Sequence, residues 1–295
     1  MTISPDVSSH ESATRPANKA NRAPFVPKLV AIDLDGTVVD HADAHVRPRK
    51  PVVDALARVR DAGVPVVVVT GRAPWSALRT VEELGLTDGF VSASHGANEY
   101  DLAAGEFTQR LTVDPAPAIT RFREADETVE FAAEWGMDGY WHTPGLRRNF
   151  TATFAGEIHW EELATKPTTR FVAQVESSTP YGAGHVCPNA KRLADAAALD
   201  PAHYHVEVGF NGWIDVGPPS VNKASGLARI AQHYGVDATE VVAFGDAAND
   251  LTMFEWAGHA VAMGQATKIV KAAANEVAPP VGENGVATVL RRWFP

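Results

Sequence analysis

Three runs of apolar residues without polar interruption punctuate the chain: Leu29 to Ile32, Val66 to Val69 and Val241 to Phe244. A strand wetted on one side alternates, so an unbroken β-favouring run predicts a strand buried on both faces, as in a parallel sheet. Between the first two runs, PVVDALARVRDAG places Val52, Leu56 and Val59 at helical spacing, with Pro51 in the first turn and Gly63 as a stop. That is a β-α-β unit. WSALRTVEELGL predicts a second helix, GFVSAS a third strand, and KASGLARIAQHYG a helix with Leu227, Ile230, Ala231 and Tyr234 on one face. After Phe244 a helix near Leu251 to Trp256 precedes a strand from His259 to Met263. Alternation at both ends of the chain predicts an α/β fold built on a doubly wound, Rossmann-like parallel sheet.

The middle breaks this rhythm. Tyr100 to Leu111 reads as a hairpin around Ala104-Gly105, PAITRFREADETVEFAAEWG as a helix, and RFVAQVES as an alternating strand. A helix from Asn189 to Leu199 and strands near 203–208 and 213–216 follow. Such α+β content inside an α/β chain predicts an inserted domain at 112–210, with the core formed by 28–111 and 211–295. Residues 1–27, polar and rich in Ser, Ala, Pro and Asn, read as a flexible tail with no signal-peptide apolar stretch.

Composition changes this picture only by exclusion. Net charge is −10 and no Lys/Arg run is dense enough for a nucleic-acid stripe or a polybasic membrane patch. No apolar run approaches the roughly 20 residues of a membrane span. The single cysteine, Cys187, cannot form an intramolecular disulfide, which makes the cytoplasm the default compartment. The expected partner is a small molecule, with no nucleic acid and no membrane, and the chain is expected as a monomer or homodimer.

Ligands of open α/β sheets bind outside the carboxyl ends of the strands. Asp33 and Asp35 follow the first strand, Thr70 and Gly71 the second, and Gly245-Asp246 the run ending at Phe244; Lys223 opens one helix and Asn249-Asp250 another. Singly, each carboxylate reads as a turn or helix cap. Together they would repel one another unless a cation sat among them, and an all-oxygen ligand set favours a hard ion such as Mg²⁺. Thr70, Lys223 and the backbone N–H groups around Asp35, Gly36 and Thr37 would then serve a phosphoryl group.

DLDGT, VVTGR, the Lys of PPSVNKASGL and GDAAND, in that order, resemble the four motifs of the haloacid-dehalogenase-like superfamily, and the ending from HAVAMGQ resembles its Cof-type, class IIB members. The resemblance implies a catalytic core with an inserted C2-type cap. It implies Asp33 as nucleophile forming an aspartyl-phosphate, Asp35 as general acid and base, and Thr70 and Lys223 as the other catalytic residues. Asp33, Asp35 through its main-chain carbonyl, Asp246 and Asp250 would serve Mg²⁺, while Gly36, Thr37, Gly71 and Asn249 would attend the phosphate. Dehalogenases lack the second Asp, so the implied reaction is hydrolysis of a small phosphomonoester, with sugar phosphates leading. A phosphotransferase or mutase, and a noncatalytic sugar-phosphate-binding protein, are the alternatives. Only 32 residues separate Thr37 from Thr70, whereas 150 lie between Arg72 and Lys223, which places the cap in the later interval. Within it Trp141, His142, Arg147 and Arg148 suit a sugar or a second phosphate; Arg121, Arg123, Lys166 and Arg170 have weaker claims, and Arg72 reads as structural. SHGA puts His95 where the family pattern has Asn, either to hold backbone or to face the substrate and titrate near neutrality.

Overall fold

In the computed structural model, which describes residues 25–40, 47–147, 152–176, 186–209 and 212–295, the three apolar runs lie side by side. The chain proceeds through β1 (Leu29–Ile32), α1 (Lys50–Asp61), β2 (Val66–Val69), α2 (Pro74–Glu83), β3 (Phe90–Ala93), β4 (Asn98–Asp101) and β5 (Glu106–Arg110). It continues with α3 (Ala116–Ala125), β6 (Glu130–Glu134), β7 (Tyr140–His142), β8 (Phe154–Glu157), α4 (Trp160–Leu163), β9 (Phe171–Gln174), α5 (Pro188–Ala197), β10 (His205–Val208) and β11 (Trp213–Gly217). It closes with α6 (Lys223–Tyr234), β12 (Val241–Gly245), α7 (Leu251–Trp256), β13 (His259–Ala262), α8 (Lys268–Ala273), β14 (Glu276–Val277) and α9 (Gly285–Leu290).

Eight strands form one sheet in the order β14-β13-β12-β1-β2-β3-β4-β5, parallel except for the β4–β5 hairpin at one edge. Both faces are covered, as the unbroken runs require. Val30, Ile32, Val66 and Val68 pack under α1, α2 and α9, while Leu29, Ala31, Val67 and Val69 pack under α6, α7 and α8. Strand order reverses between β1 and β12, whose carboxyl ends therefore flank the crevice where such sheets bind ligands.

The second sheet has six strands in the order β10-β11-β9-β6-β7-β8. Phe131, Phe171, Ala173 and Ile214 lie beneath α3 and α5. The opposite face, with Ala132, Tyr140, Val172 and Trp213, meets Ala73 and Trp75 at the head of α2. One side of this sheet is thus turned toward the loops of the first.

Two sequence readings change. The helix expected over residues 117–136 ends at Ala125, and β6 begins five residues later. Asp126 stops it: its carboxylate accepts from the amide (2.9 Å) and hydroxyl (2.7 Å) of Thr128, a local turn that competes with helical bonding. Phe131 and Ala133 then face one core and Ala132 the other, a period of two that the apolar residues of VEFAA disguise. Secondly, β11 belongs to the six-stranded sheet, pairing with β9 and β10, so that sheet continues past residue 210, where the sequence pattern puts the return to the core. Its alternation is masked because Trp213, Ile214 and Val216 are all buried.

Candidate active site

Four segments meet at the crevice, each delivered by local structure. The main chain turns sharply after β1, with Gly36 at φ 74°, a left-handed conformation that costs glycine no Cβ clash. Lys223 occupies the first turn of α6 because Asn222 caps that helix reciprocally: its side chain accepts from Ser225 N (3.0 Å) while Ser225 Oγ accepts from Asn222 N (3.0 Å). From there the ammonium reaches Asp33 Oδ1 at 2.7 Å and Asp250 Oδ1 at 2.6 Å. The other oxygen of Asp250 accepts from the amides of Asp246 (2.8 Å) and Ala247 (2.9 Å), which fixes the loop after β12. Asp250 therefore organises Lys223 and Asp246 at once.

Asp33, Asp246 and Asp250 are all buried, and oxygens from the three lie within 4.8 Å of one another. Burial pushes the Asp33 carboxyl up to about 8; the Lys223 ammonium opposes that rise, and Asp250, Asp246 and Asp35 add to it. For Lys223, burial acts downward, but the Asp250 and Asp33 carboxylates outweigh it and raise the ammonium above its ordinary range. Lys223 pairs with two of the three clustered carboxylates, Asp33 and Asp250, and the three together present oxygens close enough to share one metal ion. The donors are all oxygen, which fits Mg²⁺. Two more buried oxygens in the same loops, Thr37 Oγ1 and Asn249 Oδ1, have no hydrogen-bond partner among the described residues.

Asp35 has a different environment. Arg72 takes both of its oxygens, Nε to Oδ2 at 2.7 Å and Nη2 to Oδ1 at 2.6 Å, and tethers itself to Thr80 Oγ1 at 2.9 Å. The fork is a bidentate guanidinium–carboxylate pair, the geometry that suits an ionised carboxylate. Arg72, read from sequence as structural, is in direct contact with the expected acid and base. Gln265 adds a contact not foreseen, donating to the Gly36 carbonyl at 2.5 Å. Its place in the motif-like ending HAVAMGQ was the available signal.

Thr70 is buried at the end of β2, and its hydroxyl accepts from Arg72 N at 3.1 Å. His95 accounts for the shape of the next residue. Its amide donates to the Thr70 carbonyl (3.1 Å), and its ring lies over Gly71 so closely that a Cβ there would come within 2.6 Å of Cε1. His95 sits at φ 57°, a left-handed conformation in which Asn and His are both several-fold enriched, so the backbone suits either residue there. Burial, followed by the nearby charges of Arg170, Lys223 and His205, holds the imidazole well below its ordinary range. The ring is therefore neutral, and His95→Asn is expected to leave the midpoints of a kcat/KM profile unmoved between about pH 6 and 8. A midpoint lost on that substitution would show that His95 titrates in catalysis.

The residues expected to meet the leaving group are not gathered at the carboxylates. Trp141 packs beside Trp135 on the helix-covered face of the second sheet, 6.3 Å between centroids. His142 is buried, with Nδ1 2.9 Å from the Thr143 carbonyl. Arg147 lines a cavity of about 470 Å³ walled entirely by residues 125–196, with Glu130, Glu176 and Arg192 among its neighbours. Arg148 lies outside the described residues. Arg121 and Arg123 serve α3, bonding the Ala197 carbonyl and stacking on Trp160, and Lys166 lies over the Trp135 ring. Arg170, by contrast, is buried between the two sheets. None of the described helices is long and apolar enough to cross a membrane.

The comparisons with known proteins agree with this geometry. A family model described as haloacid dehalogenase-like hydrolase matches residues 30–290. The 5-amino-6-(5-phospho-D-ribitylamino)uracil phosphatase YitU of Bacillus subtilis is 28% identical over 277 residues, 91% of this chain and 98% of the relative. The pyridoxal phosphate phosphatase YbhA of Escherichia coli is 30% identical over 281 residues, 90% of this chain and 96% of the relative. A haloacid dehalogenase-like hydrolase from Bacteroides thetaiotaomicron superposes with a TM-score of 0.75 at 20% identity, covering 91% of this chain and 100% of that one. The subclass IIB sugar phosphatase BT4131 gives 0.74 at 21%, covering 90% and 98%, and shares the fold.

Proposed function

The chain belongs to the haloacid dehalogenase-like hydrolases as one of their phosphatases, and from that premise we propose that it hydrolyses a small phosphomonoester through an aspartyl-phosphate on Asp33. The observation that carries the reading is the buried triad of Asp33, Lys223 and Asp250 at the sheet's switch point, beside Asp35.

In this reading Asp33 attacks phosphorus and the ester oxygen departs with a proton from Asp35; water, deprotonated by Asp35, then cleaves the acyl phosphate. Arg72 engages both Asp35 oxygens, so proton delivery in the first step requires Asp35 to leave that fork and take up a proton from water before the ester oxygen departs. The ionised form that Arg72 favours is the one the second step needs. Thr70 and the main-chain amide of Gly71 would receive the phosphoryl oxygens, and Lys223 would neutralise charge between nucleophile and phosphate. The amides of Gly36 and Thr37, expected from sequence to share that task, instead donate to the carbonyls of Val39 (2.7 Å) and Leu34 (3.2 Å) and close the turn after β1. Asp33, Asp246 and the Asp35 carbonyl, backed by Asp250 and Asn249, would hold Mg²⁺, which supplies positive charge against the phosphoryl oxygens. The six-stranded sheet would act as the cap that chooses the leaving group. The relatives' names, a phosphoribityl compound and pyridoxal phosphate, support phosphorylated metabolites as the substrate class, and the lone buried Cys187 supports a cytoplasmic setting.

A phosphate-release screen over phosphorylated metabolites tests this. Turnover is expected with Mg²⁺ and is expected to fall at least about 100-fold in excess EDTA, returning when Mg²⁺ exceeds the chelator. Release that ignores EDTA would refute the metal assignment, and phosphate passing to added sugars faster than to water would make the protein a transferase.

A further inference from the structure

Arg170 has no part in the four-segment site, yet its guanidinium joins the two sheets. It precedes β9 and is buried at 6% exposure. Nη1 donates to the Gly71 carbonyl at 2.6 Å, crossing from the six-stranded sheet to the loop that carries Thr70. Nε donates to Glu134 Oε1 at 2.7 Å, Nη2 reaches Glu134 and the Tyr140 hydroxyl, and Nη1 lies 3.0 Å from Asp215 Oδ1. Glu134, at the end of β6, makes the second crossing: its Oε2 accepts from Ser94 Oγ at 2.6 Å.

The two crossings land on loops that already grip each other. Ser94 N donates to the Arg72 carbonyl (2.8 Å) and His95 N to that of Thr70 (3.1 Å). The Thr70–Gly71–Arg72 peptide is therefore held from both sides, by the His95 ring over the Gly71 Cα and by the Arg170 guanidinium on the Gly71 carbonyl. A buried ion pair adds little net stability against an apolar replacement of similar shape, but it does impose one geometry. Here the geometry imposed is that of the peptide whose Thr70 hydroxyl and Gly71 amide would face the phosphoryl group.

We propose that Arg170, anchored by Glu134, is a positioning residue for phosphoryl transfer, fixing the Thr70–Gly71 peptide against the covering sheet. This role rests on the phosphatase reading. It acts on the transferring phosphate rather than on the leaving group, so its loss lowers kcat more than it raises KM, and does so on bulky and small esters alike. The Arg170→Lys variant can restore a single bond to the Gly71 carbonyl but not the fork to Glu134.

The test compares wild type, Arg170→Met, Arg170→Lys and Ser94→Ala on the best substrate of the screen and on p-nitrophenyl phosphate, with melting temperatures for each. Arg170→Met is expected to lose about 10- to 100-fold in kcat on both esters, with KM moving less than about threefold. Arg170→Lys should recover part of that loss, and Ser94→Ala should lower kcat by less than Arg170→Met. A folded Arg170→Met with wild-type kcat overturns the role. If Arg170→Met does not fold, unchanged kcat in both Arg170→Lys and Ser94→Ala overturns it instead. Wild type inert on every ester refutes the phosphatase reading itself, whereas active wild type with unaffected variants refutes the positioning role alone.

Discussion

Asp33→Asn is expected to abolish phosphate release, by at least about 10³-fold, while leaving the fold no less stable than wild type without metal. Asn has the shape of Asp but is a far weaker nucleophile, so no acyl phosphate forms. Stability behaves differently because Asp33 shares one ammonium with Asp250 and lies among three carboxylates. Burial raises the Asp33 carboxyl from its ordinary 3.8 to about 8, which means the folded protein binds that proton more tightly than the unfolded chain. By linkage, metal-free wild type loses stability as pH rises from about 4 to about 8, and the Asn variant lacks that contribution. Thermal melts in EDTA across this range, paired with turnover assays, check both halves. A variant that melts well below wild type at pH 7.5 would show that the Asp33 carboxylate is needed by the fold itself.

Lys223→Met has the opposite signature, losing activity and stability together. The substitution keeps an unbranched side chain, one atom shorter, but removes the ammonium that Asp33 and Asp250 share. Removing one partner from a buried ionic cluster costs about 3–5 kcal/mol, and losing a positive charge aimed at the reacting group costs about 10²- to 10³-fold in kcat. Saturating Mg²⁺ should recover part of the stability, because an ion would replace some of the missing charge, and none of the rate. Denaturant unfolding with and without Mg²⁺, alongside kcat, separates the two effects. Unchanged unfolding midpoints in EDTA would refute the ionic role given to Lys223.

The core was readable from sequence because its signals are local. Each strand of the switch point is an unbroken apolar run, and each chemical residue lies within a few positions of a strand or helix end. What sequence hid is pairing across distance. Arg72 finds Asp35 across 37 positions, Arg170 finds the Gly71 carbonyl across 99, and Gln265 finds Gly36 across 229. A basic residue heading a strand normally reads as solvated, so Arg170 ranked low among the candidates although it is buried between two sheets. β6 reads as helix for a related reason: with apolar residues on both faces, its alternation vanishes and a helix fits as well. Trp141 and His142 drew attention by composition, and their opposite sides of a strand are a matter of parity that a two-residue fragment does not display.

The position of β1 in the sheet also bears on how the protein is made. Its two neighbours are β2, which follows within one helix, and β12, where Leu29 pairs with Val241. At ordinary synthesis rates the ribosome needs roughly 10 to 40 seconds to travel from one to the other. Throughout that interval the growing chain carries an apolar strand with an open hydrogen-bonding edge, the feature that recruits aggregation and chaperones. The inserted sheet lengthens the wait, since β6 to β11 must all emerge before β12 can close the gap. A nascent chain arrested just after β11 would have a covering sheet and half a core, with Asp33 made but Lys223 and Asp250 still to come.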